Sequence, residues 1–247
     1  VMLERVHGVR SRTLGQENEL TIGSAGDLAA VYAQLGRFAE AKAMFAAGLA
    51  AAERAGLPES LTIVDFRGKY AILLAQTGEA AAADRMYKSV LPAEVRLIGA
   101  DRAALRGSRS GAAMTAKRLG RTTEAEELLT DVLARRERLL GPDHSETLGA
   151  AHNLALLYSE QGRDDEAEAA LQRIAAGVER TLGPDHRNTL KAKMSLGLAR
   201  LLAGRFDEAR PVLLRPVRRW SVSVKRVCAG ALLLAAAGCG RAAAPVP

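Results

Sequence analysis

The side chains of this 247-residue chain that could do acid–base or metal chemistry are led by four histidines, His7, His144, His152 and His186. His144 and His186 end two copies of the string Leu-Gly-Pro-Asp-His, at 140–144 and 182–186, and so lie 42 residues apart. If each copy belongs to one structural repeat, stacking separates the two imidazoles by about a helix diameter, roughly 8 to 10 Å. Zinc holds nitrogen at about 2 Å, so one ion does not bridge them, and their expected role is to order a loop. Both cysteines, Cys228 and Cys239, fall in the last twenty residues, which leaves the body without a disulfide framework or thiolate site. The acid pairs Glu126-Glu127 and Asp164-Asp165 sit where helices are expected to start, where negative charge favours the macrodipole. There is no Gly-Lys-Ser or Gly-Lys-Thr phosphate loop, no His-Glu-x-x-His and no Gly-x-Ser-x-Gly. The chain is therefore expected not to be an enzyme and to carry no cofactor and no metal.

What the sequence does contain is a ruler. Gly36, Gly78, Gly120, Gly162 and Gly204 are spaced by 42 residues. Five residues after each stands an alanine (Ala41, Ala83, Ala125, Ala167, Ala209), and seven before stand Ala29, Ala71, Ala113, Ala155 and Gly197. Small residues at fixed offsets predict close helix crossings. In the clearest repeat, Leu148, Ala151, Leu154, Ala155 and Tyr158 form one apolar stripe, and Ala167, Ala170, Leu171 and Ile174 form a second after Gly162. Each repeat is thus predicted to be a helical hairpin closed by its glycine, with Asp185 or Asn188 available to cap the helix that follows Pro184.

One amphipathic hairpin cannot cover its own apolar faces, so neighbours must stack into a continuous core. The expected fold is all-α, a right-handed α-solenoid of stacked antiparallel helical hairpins, with five repeats over 15–220. Residues 1–14 match the second half of a repeat, since Leu3, Val6 and Arg12 running into Leu14-Gly15 superimpose on Leu129, Val132 and Arg138 running into Leu140-Gly141. This suggests a truncated upstream repeat and a longer gene product. The third repeat is the weakest, because Arg102, Arg106 and Arg109 stand in its first helix.

The residues Asn153-Leu154-Ala155 with Tyr158, Gln161-Gly162-Arg163, Glu166-Ala167-Glu168 and Leu182-Gly183-Pro184-Asp185-His186 resemble the tetratricopeptide repeat. The resemblance is to its long form, found in kinesin light chains and many bacterial repeat proteins, and it covers roughly residues 1 to 220. It implies a bacterial protein–protein interaction scaffold that binds a peptide segment of a partner in a concave groove lined by first helices. The alternative is the sensor or regulatory region of a larger kinase or nucleotide-hydrolysing enzyme whose catalytic domain lies elsewhere.

The net charge of +7 looks at first like a nucleic-acid footprint, but residues 205–247 contain eight Lys and Arg against Asp207 and Glu208, which accounts for +6 of it. The remaining +1 gives no footprint for a phosphate backbone, and nucleic acid is not the expected partner. The Ala-rich tail, 221–247, includes a segment from Val224 to Cys239 laid out like a lipoprotein signal at the wrong end of the chain. A capping helix or disordered end, a joined neighbouring gene start, and a membrane-associated tail all remain open for it. A reducing cytoplasm is the simplest compartment. Candidate partner-binding residues on first helices are Gln34, Lys69, Lys117, Arg118, His152, Asn153 and Lys191. The lysines and Arg118 suggest a discontinuous positive track suited to an acidic peptide.

Overall fold

The computed structural model describes residues 2 to 214; the tail expectations for 221–247 lie outside these. The described residues contain eleven helices and no strand: α1 (Met2–Leu14), α2 (Glu19–Gln34), α3 (Phe38–Arg54), α4 (Leu61–Gln76), α5 (Ala80–Leu105), α6 (Ser108–Arg118), α7 (Thr122–Leu140), α8 (Ser145–Glu160), α9 (Asp164–Leu182), α10 (Arg187–Leu202) and α11 (Phe206–Leu214). They form two compact units, divided between Arg135 and Arg136. In each unit, antiparallel hairpins pack side by side, the arrangement of an α-solenoid.

The hairpin turns are identical for a local reason. The ruler glycines have φ between 72° and 87°, a region that a side chain disfavours. The amide one residue beyond each glycine donates to the carbonyl five residues earlier, as from Arg37 to Tyr32 and from Arg163 to Tyr158, both at 2.9 Å. This Schellman closure satisfies the last carbonyls of the first helix and reverses the chain. The small residues on either side then meet at the crossing: Ala29, Ala41, Ala71, Ala83, Ala113 and Ala125 are fully buried, and Ala155, Ala167 and Ala209 are nearly or fully so. Gly197 breaks the alanine rule because a Cβ there would lie 2.5 Å from Leu213 Cδ2.

Four of the five first helices start from one equivalent position, 18, 60, 144 and 186. Asn18 accepts from the Leu20 amide at 2.9 Å and Ser60 from Ile63 at 3.3 Å. His144 Nδ1 accepts from Glu146 at 3.2 Å and His186 Nδ1 from Asn188 at 3.1 Å. The cap of α10 is therefore His186, neither Asp185 nor Asn188, because the imidazole nitrogen is the acceptor that reaches the second amide of the helix. His186→Ala should cost about 1 kcal/mol and His186→Asn much less, read as a shift in denaturation midpoint. Equal shifts for both would remove the cap assignment.

At position 102 the third repeat has Arg102, a side chain that only donates. Here α5 runs on through a kink at Gly99 (φ 79°, ψ 157°), breaks at Arg106 (ψ 156°), and α6 starts at Ser108 without a side-chain cap. The result is a first helix of 11 residues where α2, α4, α8 and α10 each have 16. Two of the three arginines expected to loosen this repeat are engaged: Arg106 pairs with Asp65 and with buried Glu94, and Arg109 with Asp131. Short length and the missing cap still predict that α6 amides exchange faster than those of α4. Hydrogen exchange resolved by residue checks this, and equal protection would contradict it.

A second period ties repeat to repeat. In the first unit, Glu17 pairs with Arg54 at 3.0 Å and Glu59 with Arg96 at 2.6 Å, and Asp143 pairs with Arg180 in the second, each 37 residues apart. Another series at the same separation joins Lys42 to Glu79, Asp84 to Arg121, and Glu168 to Arg205. Lys42–Glu79 has the opposite polarity to the rest of its series.

Candidate functional site

The second-helix stripes and the facing stripes of the first helices fill the cores, so the residues expected to contact a partner stand on what the first helices leave outside. In the first unit these helices are α2, α4 and α6, and the expected residues on them fall at two levels. Lys69 stands nine residues before its glycine, whereas Gln34 and Arg118 stand two before theirs. Seven residues of helix is about 10 Å along the axis, so these three do not share one row.

Lys69 is not a free cation. Its Nζ lies 2.5 Å from Asp27 Oδ1 and 2.6 Å from Asp65 Oδ2. Burial alone would lower its pKa, but the bonds to the two carboxylates outweigh that and raise it, so the ammonium stays charged and held. Asp65 also takes Arg106, whose Nε reaches Glu94 Oε1 at 2.7 Å, and the same oxygen accepts from Ser108 Oγ at 2.8 Å. Three carboxylates thus surround two cations in a line running from α2 through α4 toward α6. All but buried Glu94 border an open cleft of about 420 Å³ that also involves Leu20, Leu61 and Phe66. Arg118 donates to the Ala75 carbonyl in the last turn of α4, satisfying a helix-end acceptor. Lys117 is half-buried beside it on α6, and Gln34 is exposed at the end of α2.

In the second unit, His152 and Asn153 are half-buried on α8, and Asn153 occupies the position that Lys69 occupies on α4. Lys191 on α10 is exposed and has no ion-pair partner among the described residues; it stands where Asp65 stands on α4.

Sequence reasoning missed an apolar row. Six residues before each ruler glycine stand Ala30, Ile72, Met114, Leu156 and Leu198. Ile72 is 39% exposed and its equivalent Leu156 is 41% exposed. The signal was available: an apolar residue at this offset in all five copies is one more than the buried stripe needs. On α4 and α8 this exposed aliphatic side chain stands one turn beyond a polar one, Lys69 and Asn153. Such a surface makes apolar and hydrogen-bonded contacts, and among the described residues no three metal-ligating side chains come together.

Tetratricopeptide-repeat family models match residues 101–177, 150–215 and 21–55. With the turn glycines, paired alanines and stacked hairpins, these matches make the chain a member of the tetratricopeptide-repeat family. Its fold is similar to that of BtubC (BKLC) from P. vanneervenii, at 19% identity and a TM-score of 0.69, covering 100% of this chain and 95% of that one. It is also similar to the nearly identical TPR-like repeats of a Podosopora anserina kinesin-light-chain-type protein, at 22% identity and a TM-score of 0.66, covering 89% and 96%. RapI, in its apo form, matches at 10% identity with a TM-score of 0.65, covering 87% and 57%. Among curated proteins none matches at a significant level. No helix among the described residues is long and apolar enough to cross a membrane.

Proposed function

We propose that this chain is a non-catalytic interaction scaffold whose first helices hold an extended peptide segment of a protein partner. The observation that carries this reading is the exposed aliphatic residue, Ile72 in one unit and Leu156 in the other, set beside a polar position on helices whose cores are already filled. An extended strand presents alternate side chains and unpaired backbone groups, and a repeating pair of one aliphatic and one polar contact suits it. Acidic character in the partner is read by Lys191, whose ammonium is exposed, while Lys69 positions Asp27 and Asp65 and leaves its stretch of the face mixed in charge. Exposed charge contacts are each worth about 0.2 to 1 kcal/mol, so the aliphatic contacts dominate affinity and the charged ones add salt dependence.

Screening a peptide library against the full chain, followed by binding measurements on Ile72→Asp, Leu156→Asp and Lys191→Glu, tests the proposal. Captured peptides should combine aliphatic and acidic residues, each aspartate variant should weaken them by about tenfold or more, and Lys191→Glu should reduce the salt dependence. Peptide binding indifferent to both aspartate variants would place the contact surface elsewhere.

A further inference from the structure

In the second unit, α10 carries four cations, Arg187, Lys191, Lys193 and Arg200, and no acidic residue. Two of them are matched from α9, where Glu179 Oε2 lies 2.7 Å from Lys193 Nζ and Glu168 Oε1 lies 2.8 Å from Arg200 Nε. Arg187 and Lys191 are exposed and form no ion pair among the described residues. They stand four residues apart, so two like charges meet across one turn, which works against the helix. Arg187 also puts positive charge in the first turn, against the macrodipole, where α2 and α8 have Glu19 and Glu146. The first unit treats its corresponding face differently, since Lys69 is held between Asp27 and Asp65.

Farther along α10 the same face turns apolar. At 3.6 residues per turn, positions 187, 191, 198 and 202 fall within about 60° of arc. Leu198 is half-buried and continues the row of Ile72 and Leu156. Leu202 is 83% exposed, in the position that the polar residues Gln34, Gln76, Arg118 and Glu160 occupy on the other four first helices. A leucine left this open keeps apolar surface in water that its own repeat does not cover. One face of α10 thus carries two unmatched cations in its first half and two leucines in its second.

We infer that this face of α10 anchors a partner segment with two acidic residues at one end and two aliphatic residues at the other. The inference rests on the reading that the first helices bind a peptide, and it assigns the two halves of that peptide. Charge complementarity selects the acidic half, because a basic segment would meet Arg187 and Lys191 with no carboxylate between them. Geometry sets the spacing. The two cations are about 6 Å apart along the axis, the two leucines likewise, and Lys191 and Leu198 about 10 Å apart. An extended chain advances about 3.3 Å per residue, so carboxylates two residues apart, followed three residues on by aliphatic side chains two apart, match the face.

The probe is the capped peptide Glu-Ser-Glu-Ser-Ser-Leu-Ser-Leu together with its reversed sequence, since the face fixes spacing and not chain direction. Each is titrated into the full chain while the backbone amide resonances of α10 are followed. One of the two should give saturable shifts, and changing both Glu to Gln, or both Leu to Ser, should weaken it by about fivefold or more. Arg187→Glu combined with Lys191→Glu should abolish this binding and move the preference to the peptide with Lys in place of Glu. Leu202→Asp, at a side chain that packs on little, should weaken binding. Absence of saturable shifts with both directions, equal affinity for the Glu and Gln peptides, or no gain of the Lys peptide by the charge-reversed chain overturns the inference. Co-sedimentation with phosphatidylserine vesicles that requires Arg187 and Lys191, without peptide binding, overturns it in favour of a lipid surface. Library peptides weakened by Ile72→Asp and Leu156→Asp but untouched by the α10 variants would refute this anchor while leaving the peptide-binding reading in place.

Discussion

Replacing Glu168 by alanine should destabilise the second unit by about 3 to 5 kcal/mol, the loss expected when one partner of a buried ion pair is removed and the other is stranded. Glu168 is 5% exposed. One oxygen takes Arg200 Nε at 2.8 Å and Gln172 Nε2 at 2.7 Å, and the other takes Arg205 Nη1 at 2.6 Å. Arg200 is itself only 13% exposed, so without the carboxylate its charge would be left with the rim contact to Glu208. Denaturant unfolding of the full chain reads this directly. A midpoint unchanged by Glu168→Ala would show that the network is not a determinant of stability.

The same carboxylate predicts a pH dependence with a definite sign. Burial alone would raise the Glu168 pKa, but Arg200, Gln172 and Arg205 outweigh it and hold the group below its ordinary value of 4.5. A depressed folded pKa means that its stabilisation is fully present above the unfolded value and is lost as pH falls through the folded one. Stability of the unaltered chain should therefore drop below about pH 4.5, and Glu168→Ala should remove part of that slope.

Gly48→Ala should cost about 1 to 3 kcal/mol although it adds a single methyl to a helix, where alanine is intrinsically favoured. The new Cβ would meet Phe66 at 2.4, 3.0 and 3.2 Å, and Phe66 has no room to retreat. It packs edge-on against Phe45 at 5.1 Å, and Phe45 in turn stacks on Tyr70. Phe66→Ala alone should cost about 3 to 5 kcal/mol by opening a cavity. The two changes are in contact and must couple, so the double variant should be more stable than the sum of the two losses implies. Strict additivity in this cycle would mean that the glycine does not exist for the ring. The equivalents of Phe66 are Ser24, Ser108 and Ala150, and those of Gly48 are Val90, Val132 and Ile174. Volume has been exchanged across the crossing in this one place.

That exchange marks where reading along the chain stops. The repeat length, the hairpins, the positive-φ turns at Gly36 through Gly204 and the buried alanines were all legible in the residue order. Each depends on φ at one residue or on a stripe spaced by three and four, and both are local properties. The exposed aliphatic row of Ile72 and Leu156 was legible in the same way, had the offset been counted. The break before α6 was half legible: Arg102 in place of a capping residue could be read, but the continuation of α5 through Gly99 could not.

Other features depended on which side chains meet once separate helices are brought together. The pairs spaced by 37 residues, the Lys69–Asp27 contact and the fit of Phe66 over Gly48 join separate helices or their connecting turns, and the Arg106–Glu94 bond reaches back across the kink in α5. Their distances follow from crossing geometry and rotamers, which no single periodicity encodes. The amino-acid order therefore determined the repeating fold and the helices that bear its outer face. Tertiary packing decided which charges on that face are already matched and which cleft was left open.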